Sequence, residues 1–326
     1  MALKQWKPKQ MHKDVTIIGA AILDVLAGPV SEDVFVAGSQ SMKSIRLSFG
    51  GDALNEAVAL AKLGISTELV SKVGYDETGE RVLAYLKQND VSVEHVIREE
   101  GLDTGVNIVL IDKDGERHFL TNPEGSLRKL TIEDVMPHLS EAADIVSFAS
   151  MFVSPLLGVE EMENLFAQIK SKPGRILVAD MTKAKNGETL EEIKRLLPYI
   201  DYLQANEEEI ALLTGISDTR DNAELLIKAG AECAIIKRGS KGCLIRTKEA
   251  CVEIPAYPVK RVVDTTGAGD CFAAGFLWGL SRGLTLEECG RLACATASFA
   301  VESMGATEGI HSATDVEKRM NFYRIE

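Results

Sequence analysis

"VDTTGAGDCFAAGF", residues Val263 to Phe276, sets small residues, hydroxyls and two glycines between two aspartates and then runs without a break into an apolar helical pattern. Phe272, Phe276, Leu277 and Leu280 extend that pattern to a stop at Gly283. Backbone N–H groups at a helix start have no intrahelical acceptor, and glycines let such groups be aimed at an anion. Gly267, Ala268 and Gly269 therefore predict a phosphate cradle. Asp270, at its mouth, has two readings. It is a helix cap or dipole partner, or it takes a proton from a hydroxyl while the adjacent N–H groups stabilise a transferring phosphoryl group. Two other nucleotide motifs fit badly. A P-loop wants Lys after the final glycine, where Asp270 stands. A dinucleotide fingerprint wants glycine where Phe272 sits, and an acid closing a second strand about twenty residues on; Glu287 and Glu288 lie instead in a helical stretch.

Outward from this turn, β-branched runs alternate with helical periodicity along most of the chain. "DVTIIG" precedes "GGDALNEAVALAKLG", "TELVSKVG" precedes "DETGERVLAYLKQ", and "RILVAD" precedes "TLEEIKRLL". Such alternation predicts an α/β fold, a doubly wound, mostly parallel sheet with helices on both faces, whose ligands bind beyond the carboxyl ends of the strands. The rhythm breaks twice. "TGVNIVLIDKDGERHFLTN", Thr104 to Asn122, has two strand-like runs joined by Lys113-Asp114-Gly115, a hairpin signal, and "MKSIRLSF" has no helix before it. Together they predict a small antiparallel lid, residues 35–49 and 104–121, on a main domain of residues 1–34, 50–103 and 122–326. The lid serves either to exclude water from a site or to make a dimer contact. "VKRVVD", ahead of the glycine turn, also has the composition of a strand. No repeat or proline-rich linker marks a second independent domain.

The second glycine pair, Gly50-Gly51, opens another helical pattern. Asp52 and Asn55, three residues apart, share one side of its first turn. A carboxylate and an amide beside bare glycine backbone suit the vicinal hydroxyls of a sugar, with capping as the alternative for Asp52. Asp24, after the first strand, is a third candidate hydroxyl partner. Asn206 and Glu209 have a complete structural explanation as an N-cap and a first-turn acid, yet a carboxylate and amide near phosphates also suit hydrated Mg²⁺.

Composition narrows the partners. Of 326 residues, 45% are hydrophobic and 26% charged, as expected of a globular protein. The formal net charge of −13 disfavours nucleic acid and anionic membrane surfaces. Lys4, Lys7, Lys9 and Lys13 ahead of "VTIIGAAIL" loosely mimic a signal peptide, but Asp24 cuts the apolar run short and a first strand fits better. No segment suits a membrane span. Six cysteines, all between Cys233 and Cys294, have no CxxC pair and predict buried free thiols in a reducing compartment, hence the cytoplasm.

Taken together these segments resemble the ribokinase-like, or PfkB-type, carbohydrate kinases. The resemblance spans essentially the whole chain. It rests on Gly-Gly-x-x-x-Asn-x-Ala at Gly50 to Ala57, Asn-x-x-Glu at Asn206 to Glu209, Gly-Ser-Lys-Gly at Gly239 to Gly242, and Asp-Thr-Thr-Gly-Ala-Gly-Asp at Asp264 to Asp270. It implies ATP-dependent phosphorylation of a sugar hydroxyl, most plausibly a primary one, with Mg²⁺ and a β lid that forms a homodimer contact. By position, Asp270 would be the base and Gly267, Ala268 and Gly269 the anion hole. Asp24, Gly51, Asp52 and Asn55 would hold the sugar. Asn206, Gly239 and Gly242 would serve ATP, and Glu209 would hold Mg²⁺ through water. Asp264 and Thr266, with carbonyls near Ala300, Ser303 and Gly305, match the place where many relatives bind a monovalent cation such as K⁺. Ribokinases proper carry Lys where Asp52 stands and a Glu near Val153, so the acceptor stays open among hexoses, ketoses and modified sugars. A nucleoside kinase, with Phe35, Phe152 or Trp278 stacking a base, and a non-catalytic sugar or nucleotide sensor are the alternatives.

Overall fold

The computed structural model describes residues 13–113 and 116–322, so Lys4, Lys7, Lys9 and the Asp114-Gly115 tip of the predicted hairpin lie outside the described residues. Thirteen strands are described: β1 Val15–Ile18, β2 Ile22–Val30, β3 Ser44–Gly50, β4 Thr67–Gly74, β5 Val96–Glu99, β6 Val106–Asp112, β7 Arg117–Thr121, β8 Ile145–Met151, β9 Ile176–Met181, β10 Tyr202–Asn206, β11 Cys233–Lys237, β12 Cys243–Thr247 and β13 Cys251–Ile254. Nine of them make one sheet in the order β13-β12-β11-β10-β9-β8-β1-β4-β5, parallel from β11 to β5 and closed at the other edge by the antiparallel β12 and β13. The chain starts in the middle at β1, builds out to β5, and returns past β1 to build the other half, which is the doubly wound order expected from the alternation.

β4 and β8 are buried along their whole length; β8 is mainly apolar, as a strand covered on both faces is expected to be, whereas β4 also buries Thr67, Glu68, Ser71 and Lys72. Helices cover each side. Asp52–Lys62, Ala268–Ser281 and Leu286–Ala300 pack one core, around Leu60, Phe276 and Leu292. Val159–Lys170 and Thr219–Ala229 pack the other, around Phe166 and Leu226. Ala268–Ser281 is apolar nearly all round because it lies beneath its neighbour Leu286–Ala300 and against Asp52–Lys62.

The lid is a separate four-stranded sheet, β3-β2-β6-β7. Two corrections follow. β2, expected in the main domain with residues 1–34, is a central lid strand, so Asp24 sits on the lid rather than just after the first strand. The sheet is also not wholly antiparallel, because β2 pairs with β6 in parallel while β2–β3 and β6–β7 are antiparallel. The predicted β6–β7 hairpin is present. Register gives this sheet two unlike faces, since paired residues point the same way. Leu47, Val25, Ile108 and Leu120 form one row across its outer side. Ser48, Asp24, Asn107 and Thr121 form the neighbouring row, which points the other way.

"VKRVVD" forms no strand. Pro258 interrupts the run on its N-terminal side, and the Val263 N–H donates to the Val301 carbonyl at the end of helix Leu286–Ala300 instead of joining the sheet. All six cysteines are free thiols; Cys251, contrary to expectation, is exposed, because it lies on the edge strand β13.

Candidate active site

The turn Asp264 to Asp270 opens the helix Ala268–Ser281 as its sequence predicts. Gly267 caps it in the left-handed region at φ 68°, and a Cβ there would lie 2.5 Å from the Ala306 Cβ, so the turn accepts only glycine. Asp270 occupies the first turn of the helix but caps nothing. Its Oδ2 accepts a hydrogen bond from the Asn55 Nδ2 at 2.7 Å, which joins the two glycine-led helices across the site. Burial, and next the negative charge of Asp52, push the Asp270 carboxyl well above the usual carboxylate range, although the residue keeps part of its surface open.

Asp52 begins the other helix after Gly51, whose φ of 91° and close approach to the Ala20 carbonyl, 2.4 Å from a notional Cβ, again admit no side chain. The capping alternative for Asp52 fails, since its Oδ2 instead accepts a hydrogen bond from the Ser150 hydroxyl at the end of β8. Burial and then the Asp180 charge raise it to about 6. Asn55 has a buried Oδ1 with no partner among the described residues, an acceptor on the same side chain that steadies Asp270. On the lid, Asp24 accepts from the Asn107 Nδ2 at 3.1 Å, and Asn107 in turn accepts from the Thr121 hydroxyl at 2.9 Å. The other Asp24 oxygen stands over Gly50, where any Cβ would meet it.

Asn206 and Glu209 make the reciprocal capping box of their structural reading: Asn206 Oδ1 accepts the Glu209 N–H and Glu209 Oε2 accepts the Asn206 N–H, each at 2.8 Å. That box uses a single oxygen of Glu209. Burial raises this carboxyl to about 7, with Lys237 opposing and the Asp180 and Asp52 charges adding to it.

Two site residues escaped the sequence reading. Asp180, at the end of β9, and Lys237, the last residue of β11, form a buried ion pair with contacts of 2.5 and 2.8 Å. Lys237 reaches toward the glycine turn, its Nζ 3.5 Å from where a Cβ on Gly269 would be. The available signal was positional, because each is a charge closing an apolar strand whose carboxyl end faces the ligand side. Beyond them lies a cavity of about 590 Å³, a size suited to a small ligand, with Asn206, Lys237 and Gly269 at its polar end and Tyr257, Phe272 and Val301 among its apolar walls. Gly239 and Gly242 also line it. The aromatic candidates do not gather: Phe35 is exposed on the helix Val34–Ala37, Trp278 is core, and Phe152 is buried beside Ser150.

Asp264 and Thr266, the expected cation ligands, are bonded to each other and to their neighbours. Asp264 Oδ1 accepts the Thr266 N–H at 2.9 Å and its hydroxyl at 2.6 Å, and Oδ2 accepts the Gly305 N–H at 3.0 Å. The Arg117 guanidinium, from lid strand β7, completes the set with an ion pair to Oδ1.

Comparison with known proteins bears on the family and the fold. The sequence matches the pfkB family carbohydrate kinases over residues 12–313. A protein described as an uncharacterized sugar kinase of Archaeoglobus fulgidus is 33% identical over 263 residues, 79% of this chain and 100% of that protein. A nucleoside kinase of Methanocaldococcus jannaschii is 29% identical over 315 residues, 95% of this chain and 98% of that protein. The structure of Arabidopsis thaliana ribokinase complexed with ribose and ATP superposes with a TM-score of 0.80 at 26% identity, covering 96% of this chain and 100% of the other. Fold, glycine turns and family match coincide over nearly the whole sequence, and the chain belongs to the pfkB family of carbohydrate kinases.

Proposed function

We propose that this kinase transfers the γ-phosphoryl group of ATP to a hydroxyl, most plausibly primary, of a monosaccharide or sugar derivative. One observation carries the reading: the Asp270 carboxyl, tied to Asn55, stands between a cluster suited to hydroxyls and a cavity suited to a nucleotide. Asp24, Asp52 and the free Asn55 Oδ1 accept from the sugar, and Gly51 leaves its backbone open to it. Asp270 accepts the proton of the attacking hydroxyl as the new O–P bond forms, and the bond from the γ-phosphorus to the leaving oxygen of ADP breaks. The N–H groups at Gly267, Ala268 and Gly269, with the Lys237 ammonium beside them, carry the negative charge of the transferring group.

Asn206, Gly239 and Gly242 border the ATP. Mg²⁺ suits the acidic side of the site, where burial, and after it the Asp180 charge, raise Glu209 and Asp52 even with Lys237 opposing. Glu209 would hold it through water, and the ion would neutralise the phosphates. Six free thiols suit a reducing compartment, so the cytoplasm is the proposed location; among the described residues no helix is long and apolar enough to cross a membrane. The apolar outer row of the lid suits a homodimer contact.

The Methanocaldococcus jannaschii relative keeps a nucleoside acceptor as the second reading. Against it, Phe152 and Trp278 are buried and offer no open ring to a base. ADP formation, assayed with Mg²⁺ over a panel of sugars, sugar derivatives and nucleosides, separates the two. Turnover confined to nucleosides would replace the sugar reading, and sugar binding by calorimetry without ADP would make the protein a sensor.

A further inference from the structure

We propose that the guanidinium of Arg117 takes the place of a monovalent cation behind the glycine turn, and that this protein neither binds nor needs potassium there. Asp264 is 7% exposed, and each of its carboxylate oxygens already accepts a backbone N–H, from Thr266 and from Gly305. These bonds fix the backbone immediately before Gly267; against burial, the Thr266 hydroxyl, then these two N–H groups and the Arg117 charge, hold the carboxyl below the usual range. Left alone, that anion would stand behind a turn meant to receive phosphate. The Arg117 charge offsets it through a planar fork suited to a carboxylate. Because the cation is part of the chain, it is present at any salt composition, whereas a free ion must be captured from solution. A guanidinium has no lone pair to offer a metal, and a second cation on the same carboxylate would be repelled.

Arg117 and Asp264 both line a cavity of about 840 Å³ between the lid and the turn, together with Arg46 and Gly305. An ion therefore has a way in once the guanidinium is removed. The purpose given to the turn rests on the kinase reading above, but the ion test needs neither ATP nor an acceptor, so either can fail alone.

The test uses the full chain. Thallium(I), a potassium surrogate, is titrated and followed by thallium-205 NMR with competition by KCl, and thermal unfolding is compared in KCl and in choline chloride at equal ionic strength. The wild type should show no saturable thallium site and the same Tm in both salts. Arg117→Ala should melt several degrees lower in choline chloride, regain most of that loss in KCl with saturation, and acquire a thallium site that potassium displaces. A potassium-displaceable site in the wild type would overturn the proposal, as would an Arg117→Ala variant with one Tm in both salts. If that variant folds in neither salt, the wild-type titration decides.

Discussion

Asp270 and Asp52 titrate as a pair, because removing the proton from either beside the other's negative charge costs free energy. For a base this has a use: a carboxylate with raised proton affinity accepts a hydroxyl proton more readily, provided it is deprotonated at working pH. Asp270→Asn keeps the shape and the Asn55 contact but removes the acceptor of the proton, and kcat should fall about a hundredfold or more with the fold intact by circular dichroism. Near-normal turnover would refute the assignment. The pH dependence has a definite sign. With Asp270 as the proposed base, activity requires it deprotonated, so the acid limb of kcat/KM should follow its raised pKa. Asp52→Asn removes the neighbouring negative charge, the second cause of that rise. The limb should therefore move to lower pH while KM for the sugar increases. A limb that stays in place, or moves up, would show that Asp52 does not act on Asp270 electrostatically.

At the scale of elements, the site is made of helix starts meeting strand ends. Two helices begin at glycines that no other residue could replace without strain, and a third begins at the Asn206–Glu209 capping box. The box lets structure and chemistry be separated. Gln at the third helical position also closes a capping box, so Glu209→Gln should leave the Tm within about a degree of the wild type while removing the charge. The Mg²⁺ concentration for half-maximal ADP formation should rise severalfold. An unchanged Mg²⁺ dependence would return Glu209 to a purely structural role.

The whole molecule is a two-cored α/β sheet carrying a lid whose two faces do different work. The Asp24 row points opposite to the Leu47–Val25–Ile108–Leu120 row, and Leu47 and Leu120 are 57% and 54% exposed. An apolar row across four strands is a surface that association would cover. Sedimentation equilibrium should give a dimer for the wild type and a monomer for Leu47→Glu/Leu120→Glu, because two buried charges oppose each apolar partner. A monomeric wild type, or a dimeric double variant, would remove the lid from the interface.

Local pattern was enough for the strand–helix alternation of most of the main sheet and for the type of each functional turn, but not for β2, for the edge strands β12 and β13, or for the absence of a strand at "VKRVVD". Period-two and helical patterns, and glycines placed before helical runs, are local properties that residues near one another express wherever they stand. The sequence also marked Asp270, Asn55, Asp52, Asn206 and Glu209 as the groups to watch, though it could not separate capping from chemistry at Asp52, which required knowing that Ser150 stands opposite. Tertiary structure alone decided the rest: β2 leaving the main sheet for the lid, Lys237 meeting Asp180 across two strand ends, and Arg117 reaching Asp264 from 147 residues away. Those are encounters between charges far apart in the chain. They depend on sheet order and on where the lid sits, and no spacing along the sequence encodes either.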